Sequence, residues 1–166
     1  VIVFIDASNI IYGCKRAGWK MDFEKLFEYL KSRFGAKRIL YYAGLDQENK
    51  KQLLFYEKLQ QFGYELRLVP VKRFKDGQRK GDVDARLTFE AMRDLDKYDE
   101  AIFLTGDSDY YWMFEYMLQS GKHIRLFSHR SSTAKELRQL FGGEFTDLSR
   151  LKSLLGFGEN KTRQTP

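Results

Sequence analysis

Residues 100–127, EAIFLTGDSDYYWMFEYMLQSGKHIRLF, decide the fold. Within the run at 100–105, Ala101-Ile102-Phe103-Leu104 is apolar without alternation, the pattern of a strand covered on both faces, and 122–127 reads as a further strand. Between them lie a Gly/Asp turn and a segment at 108–120 that reads as a helix stopped by Gly121. Two strands joined through a helix of that length cannot make a hairpin. They need a right-handed crossover and lie parallel.

The same rhythm extends in both directions. Residues 1–5 (Val1-Ile2-Val3-Phe4-Ile5) form a first buried strand, followed by a loop. Asp22 caps a helix with Phe23, Leu26, Phe27, Leu30 and Phe34 at helical spacing, and Gly35 ends it. A second strand at 38–43, an amphipathic helix at 48–62 ending at Gly63, and a third strand at 64–71 follow. Residues 72–81 read as a basic, glycine-containing loop, and 83–95 as a helix with Leu87, Ala91, Met92 and Leu95 on one stripe. After the fifth strand come a short helix at 133–141 and a helical segment at 147–155. The expectation is one α/β domain over residues 1–155: a three-layer α/β/α sandwich with a mainly parallel five-stranded sheet. The polar stretch at 156–166 reads as a flexible tail or linker.

Composition narrows the function classes. A chain of 166 residues with 43% hydrophobic and 16% aromatic content can bury a sizeable core. No apolar run approaches the roughly 20 residues of a membrane span. The absence of an initial Met leaves room for a preceding segment. One cysteine, Cys14, cannot form an internal disulfide, which points to a reducing, cytoplasmic setting. A net charge of +6 and a pI of about 9.3 favour polyanionic partners.

In an open parallel sheet, ligands gather beyond the carboxyl ends of the strands, where the strand order reverses. Three segments deliver carboxylates to that edge: Asp6-Ala7-Ser8-Asn9, Lys80-Gly81-Asp82-Val83-Asp84 and Thr105-Gly106-Asp107-Ser108-Asp109. Each acid has a plain role open to it. Asp6 suits a turn, Asp82 an N-cap, Asp107 or Ser108 a cap, and Asp109 a first-turn acid. Asp84 is harder to dismiss, because it falls on the helix stripe of Leu87, Thr88 and Ala91 that faces the sheet. Four crowded carboxylates repel one another, and a divalent cation removes the conflict. Oxygen donors suit Mg2+ or Mn2+, whereas one Cys and two His without ligand spacing argue against zinc. Such a cation polarises a phosphodiester and offsets charge on its leaving oxygen. Asn9 fits an amide that orients a carboxylate or the scissile phosphate; Ser8, Thr105 and Ser108 fit supporting or plain capping roles.

Phe4-Ile5-Asp6-Ala7-Ser8-Asn9, Lys80-Gly81-Asp82-Val83-Asp84 and Leu104-Thr105-Gly106-Asp107-Ser108-Asp109-Tyr110 resemble the three signature segments of the NYN domain family, the LabA-like branch of the PIN-like nucleases. The resemblance spans roughly residues 1–150. It implies a metal-dependent ribonuclease with a Rossmann-like sheet of order 3-2-1-4-5. Its acidic positions fall on Asp6, Asp84, Asp107 and Asp109, with Asn9 as polar partner and Mg2+ or Mn2+ as cofactor. Ala7-Ser8 departs from the Gly-Glu common in relatives, and Asp82 is an additional acid held as a reserve ligand. The family also makes a homodimer a possible assembly.

The expected substrate surface is basic and aromatic. Lys72, Arg73, Lys75, Arg79 and Lys80 precede Asp82, and Arg130, with Arg125, His129, Lys135 and Arg138, extends the rim. Tyr12 and Trp19, in the loop after Asp6, are placed to stack unpaired bases, and of Tyr110, Tyr111 and Trp112 one meets substrate. The expected partner is single-stranded RNA, with DNA an alternative because no residue reads a 2′-hydroxyl. The rival within the same fold is a catalytically silent nucleic-acid-binding or protein-interaction module. A haloacid-dehalogenase phosphatase wants a second Asp where Ser8 stands. A receiver domain wants its acid pair after the first strand, not the fourth. His123 reads as a strand-edge residue and Cys14 as packing.

Overall fold

A computed structural model describes residues 1–73, 79–80 and 82–158. Strands β1 (Ile2–Asp6), β2 (Arg38–Leu45), β3 (Glu65–Pro70), β6 (Glu100–Leu104), β7 (His123–Ser128) and β8 (Phe145–Asp147) form one sheet of order β3-β2-β1-β6-β7-β8, and every neighbouring pair is parallel. The first five follow the expected order; the sixth strand was not foreseen. It is three residues long and follows Gly142 and Gly143, too short to show a period of its own. Strands β4 (Lys72–Arg73) and β5 (Arg79–Lys80) pair antiparallel as a small ribbon, where a loop was expected.

The helices divide between the two faces. Along β1 the odd residues Val3 and Ile5 enter one core and the even residues Ile2 and Phe4 the other, as the two-residue period of a strand requires. The first core takes α1 (Ala7–Arg16), α2 (Phe23–Phe34), α3 (Lys50–Phe62) and α7 (Lys152–Leu155), with Ile10, Cys14, Leu26, Leu30, Leu59 and Leu155 turned inward. The second takes α4 (Val83–Arg93), α5 (Tyr111–Gln119) and α6 (Lys135–Phe141) through Leu87, Ala91, Phe114, Met117 and Leu137. Phe4 and Phe103 stack between neighbouring strands with centroids 4.8 Å apart.

Helix α1 replaces the loop expected after β1. Asp6 is its N-cap, accepting the Asn9 backbone N–H at 3.1 Å, and Ala7, Ile10 and Cys14 form its buried stripe. The first turn carries Ser and Asn, which favour caps and turns over helix interiors, and that composition hides the helix in the sequence. Gly156 bridges to Met21, and the Phe157 N–H bonds to the Lys20 carbonyl, so the stretch expected to be free from 156 begins attached to the domain. Residues 159–166 lie outside the described residues.

Candidate active site

Strands β1 and β6 are neighbours, and the strand order reverses between them, so their carboxyl ends open a cleft at the switch point. An open hollow of about 770 Å3 there is lined by Asp6, Ser8, Asn9, Tyr12, Lys15, Arg16, Val83, Asp84 and Asp107. Three of the four expected acids thus share one cleft.

A hydrogen-bond chain ties the two strand ends together. The Thr105 hydroxyl donates to Asp6 Oδ2 at 3.1 Å and accepts the Asp107 N–H at 3.3 Å, so one buried side chain links both acids. Asn9 Oδ1 accepts the Gly106 N–H at 2.8 Å, holding the start of α1 to the turn after β6. Asn9 therefore acts first as a structural tie between the two acidic segments. Gly106 is needed for close packing: a Cβ there would lie 2.5 Å from Ser128 Oγ and 3.0 Å from Thr133 Oγ1.

Asp84 stands at the head of its helix stripe, one turn before Leu87 and beyond the sheet edge, so it is exposed in the cleft and does not face the sheet. The hydroxyl of buried Tyr110 donates to Asp84 Oδ1 at 3.0 Å, so this aromatic belongs to the core and supports the acid from below. Tyr111 is half-buried and Trp112 exposed. Asp109 does not line the cleft. Its backbone N–H donates to Asp107 Oδ1 in a 3-10 turn over Ser108–Tyr110, and its side chain, like that of Ser108, is exposed. Helix α5 accordingly starts at Tyr111. Asp82 occupies the N-cap position of α4 without a capping side-chain bond.

The electrostatics follow from this crowding. Burial raises the Asp6 carboxyl to about 6, with Asp84 and Asp107 pushing the same way against the bonds from Asn9 and Thr105. Burial also raises Asp84, with Asp107, Asp82 and Asp109 adding to it and the Tyr110 hydroxyl opposing. Among the described residues no three acidic, histidine or cysteine side chains converge into a ready-made cage, so the expected tight cluster of four carboxylates is not formed. The donor set still fits a hydrated hard cation. It is anionic and all oxygen, and its members oppose one another's charge across an open cleft, where Mg2+ would keep several of its waters.

Lys15 and Arg16 line the cleft beside the acids and were missed by the sequence reading. Ser8, Tyr12 and Lys15 recur at helical spacing on α1, a signal concealed by reading that segment as a loop. Tyr12 belongs to this helix and is 63% exposed. Trp19 does not line the cleft; it is partly buried against the first core, and its indole N–H donates to Nε2 of buried His129 at 3.1 Å. Arg130 is exposed away from the cleft lining, with its backbone N–H on Asp147, and Arg125 is engaged by Glu100 and Glu144. Burial pushes the Cys14 thiol up to about 12, as befits a packing residue. The side chains of Lys72, Arg73, Arg79 and Lys80, and Lys75 altogether, lie outside the described residues.

Over residues 1–149 the sequence matches the NYN domain. It is 26% identical over 161 residues to the low amplitude and bright protein LabA of Synechococcus elongatus, covering 92% of this chain and 86% of that protein. A solved structure of a protein of unknown function from Vibrio parahaemolyticus has a TM-score of 0.74 at 24% identity, covering 84% of this chain and 86% of the other. At that identity the likeness bears on the fold.

Proposed function

This chain belongs to the NYN domain family, and on that premise we propose that it is a divalent-cation-dependent endoribonuclease acting on single-stranded RNA. The observation that carries the reading is the placement of Asp6, Asp84 and Asp107 around one open cleft at the switch point of the sheet. Mg2+ or Mn2+ held by these three carboxylates would supply the positive charge that activates a phosphodiester and water. Thr105 and Asn9 fix Asp6 and the Asp107 turn, so the acids meet substrate already oriented. Asp109 and Asp82 add negative charge near Asp84 and draw the cation toward that side.

Lys15 and Arg16 supply the phosphate contacts on the near wall. Replacing both with Ala is expected to weaken RNA binding and to reduce the slope of log affinity against log salt by about 1.4, the share of two phosphate contacts on a single strand. A salt titration with an unchanged slope would place the RNA path elsewhere. The activity itself is tested by incubating the protein with a labelled single-stranded RNA under Mg2+, Mn2+ or EDTA. Cutting that requires the cation is expected, and cutting that persists in EDTA contradicts the reading.

A further inference from the structure

The three acidic segments reach the cleft from separate elements, and Thr105 and Asn9 tie only two of them together. The third, which carries Asp84 in the first turn of α4, is joined to the others by Tyr110. We infer that Tyr110 is a positioning residue for the cation: its hydroxyl fixes the Asp84 carboxylate, and the affinity for Mg2+ or Mn2+ depends on that one oxygen atom. The inference rests on the cation-dependent reading above.

The ring and the hydroxyl of Tyr110 do separate jobs. The ring is 1% exposed and belongs to the second core, with Val83 and Leu87 of α4, Phe103 of β6 and Phe114 of α5. A phenylalanine ring would serve that packing equally well. The oxygen does something more. A buried tyrosine hydroxyl needs a hydrogen-bond partner, and the partner here is an acid that lines the cleft, with Asp84 Oδ1 accepting at 3.0 Å.

Tyr110 also closes the turn that begins at Asp107. Its backbone N–H bonds to the Asp107 carbonyl at 3.5 Å, and Asp107 Oδ1 accepts the Asp109 N–H at 3.0 Å. One residue therefore holds the Asp107 turn by its backbone and Asp84 by its side chain. Asp84 is exposed, and an exposed carboxylate otherwise turns among several rotamers. Holding it in one of them before the cation arrives removes an ordering cost from binding. Losing a partner that orients a metal-binding carboxylate typically costs about 10- to 100-fold in affinity.

Tyr98 supplies the control. It is buried in the same core, and its hydroxyl donates to the Ala91 carbonyl at 2.8 Å, further along the same helix and outside the cleft lining. The test is isothermal titration calorimetry of Mn2+ into the parent chain, Tyr110→Phe and Tyr98→Phe, without RNA. Tyr110→Phe is expected to raise the Kd about 10-fold and Tyr98→Phe to leave it unchanged, although both lose a buried hydroxyl bond to α4. Binding by the parent that Tyr110→Phe does not weaken, or that both variants weaken alike, overturns this inference and leaves the nuclease reading standing. No Mn2+ binding by the parent overturns both. A Kd that depends on the Tyr110 hydroxyl, in a chain that cuts no RNA, defeats the nuclease reading alone.

Discussion

Asp6→Asn is expected to stop RNA cleavage and, at neutral pH, to stabilise the cation-free protein. The loss of activity follows from removing one of the three charges around the cleft, and a fall of at least about 100-fold is expected. The gain in stability follows from the raised carboxyl. Asp6 titrates near 6 in the folded chain against 3.8 as its ordinary value, so its contribution to stability is fully present below about pH 4 and is lost as the pH rises through 6. Ionising it in the folded state costs on the order of 3 kcal/mol, and an amide removes that cost. The variant keeps an oxygen to accept the Asn9 N–H, so the start of α1 is preserved. Urea denaturation in EDTA at pH 7.5 is expected to favour Asp6→Asn by about 2–3 kcal/mol, with the difference vanishing near pH 4. A variant less stable than the parent at pH 7.5 would show that Asp6 is held for structure. Stability surrendered at a functional carboxylate is a common trade in active sites.

Asp84→Asn separates charge from architecture in a different way. Asp84 is exposed, and its one side-chain bond to the core, from the Tyr110 hydroxyl, can be accepted equally by an amide oxygen. Helix α4 is held independently by buried Leu87 and Ala91 and by Glu90, which bonds to Tyr42, Arg67 and Arg86. The variant should therefore unfold within about 0.5 kcal/mol of the parent, as surface changes usually do, while cleavage falls by about 100-fold. Near-complete activity at normal stability would remove Asp84 from the site.

Much of this was legible in the sequence, for reasons that can be traced. Apolar runs between helical segments specified the parallel sheet, and the positions of Asp6 and Asp107 just after strands placed them together once β1 and β6 became neighbours. Asp84 stood out because a charge at the head of an apolar stripe needs an explanation, and the cleft provides one. What escaped notice lacked periodic signal. Strand β8 is too short to alternate, and α1 begins with residues that prefer turns. Reading α1 as a loop also hid Lys15 and Arg16 and made Trp19 look free, although a partner 110 residues away, His129, engages it. Asp109 was placed by its motif, but the 3-10 turn before α5 directs its backbone to Asp107 and leaves its side chain outside the cleft lining. Such a turn leaves no mark at the level of apolar spacing.

The most direct test of the central claim compares cleavage of one labelled single-stranded RNA by the parent chain and by Asp107→Asn, each with Mn2+, Mg2+ or EDTA, after confirming equal folding by circular dichroism. Asp107 lines the cleft, and its N–H is bound by the same Thr105 hydroxyl that holds Asp6. The substitution removes its charge at nearly constant volume. Cutting by the parent with either cation, absent in EDTA and reduced at least about 100-fold in Asp107→Asn, is the predicted result. Equal cutting by both proteins, or none by either under any cation, would contradict the assignment of this cleft as a nuclease site.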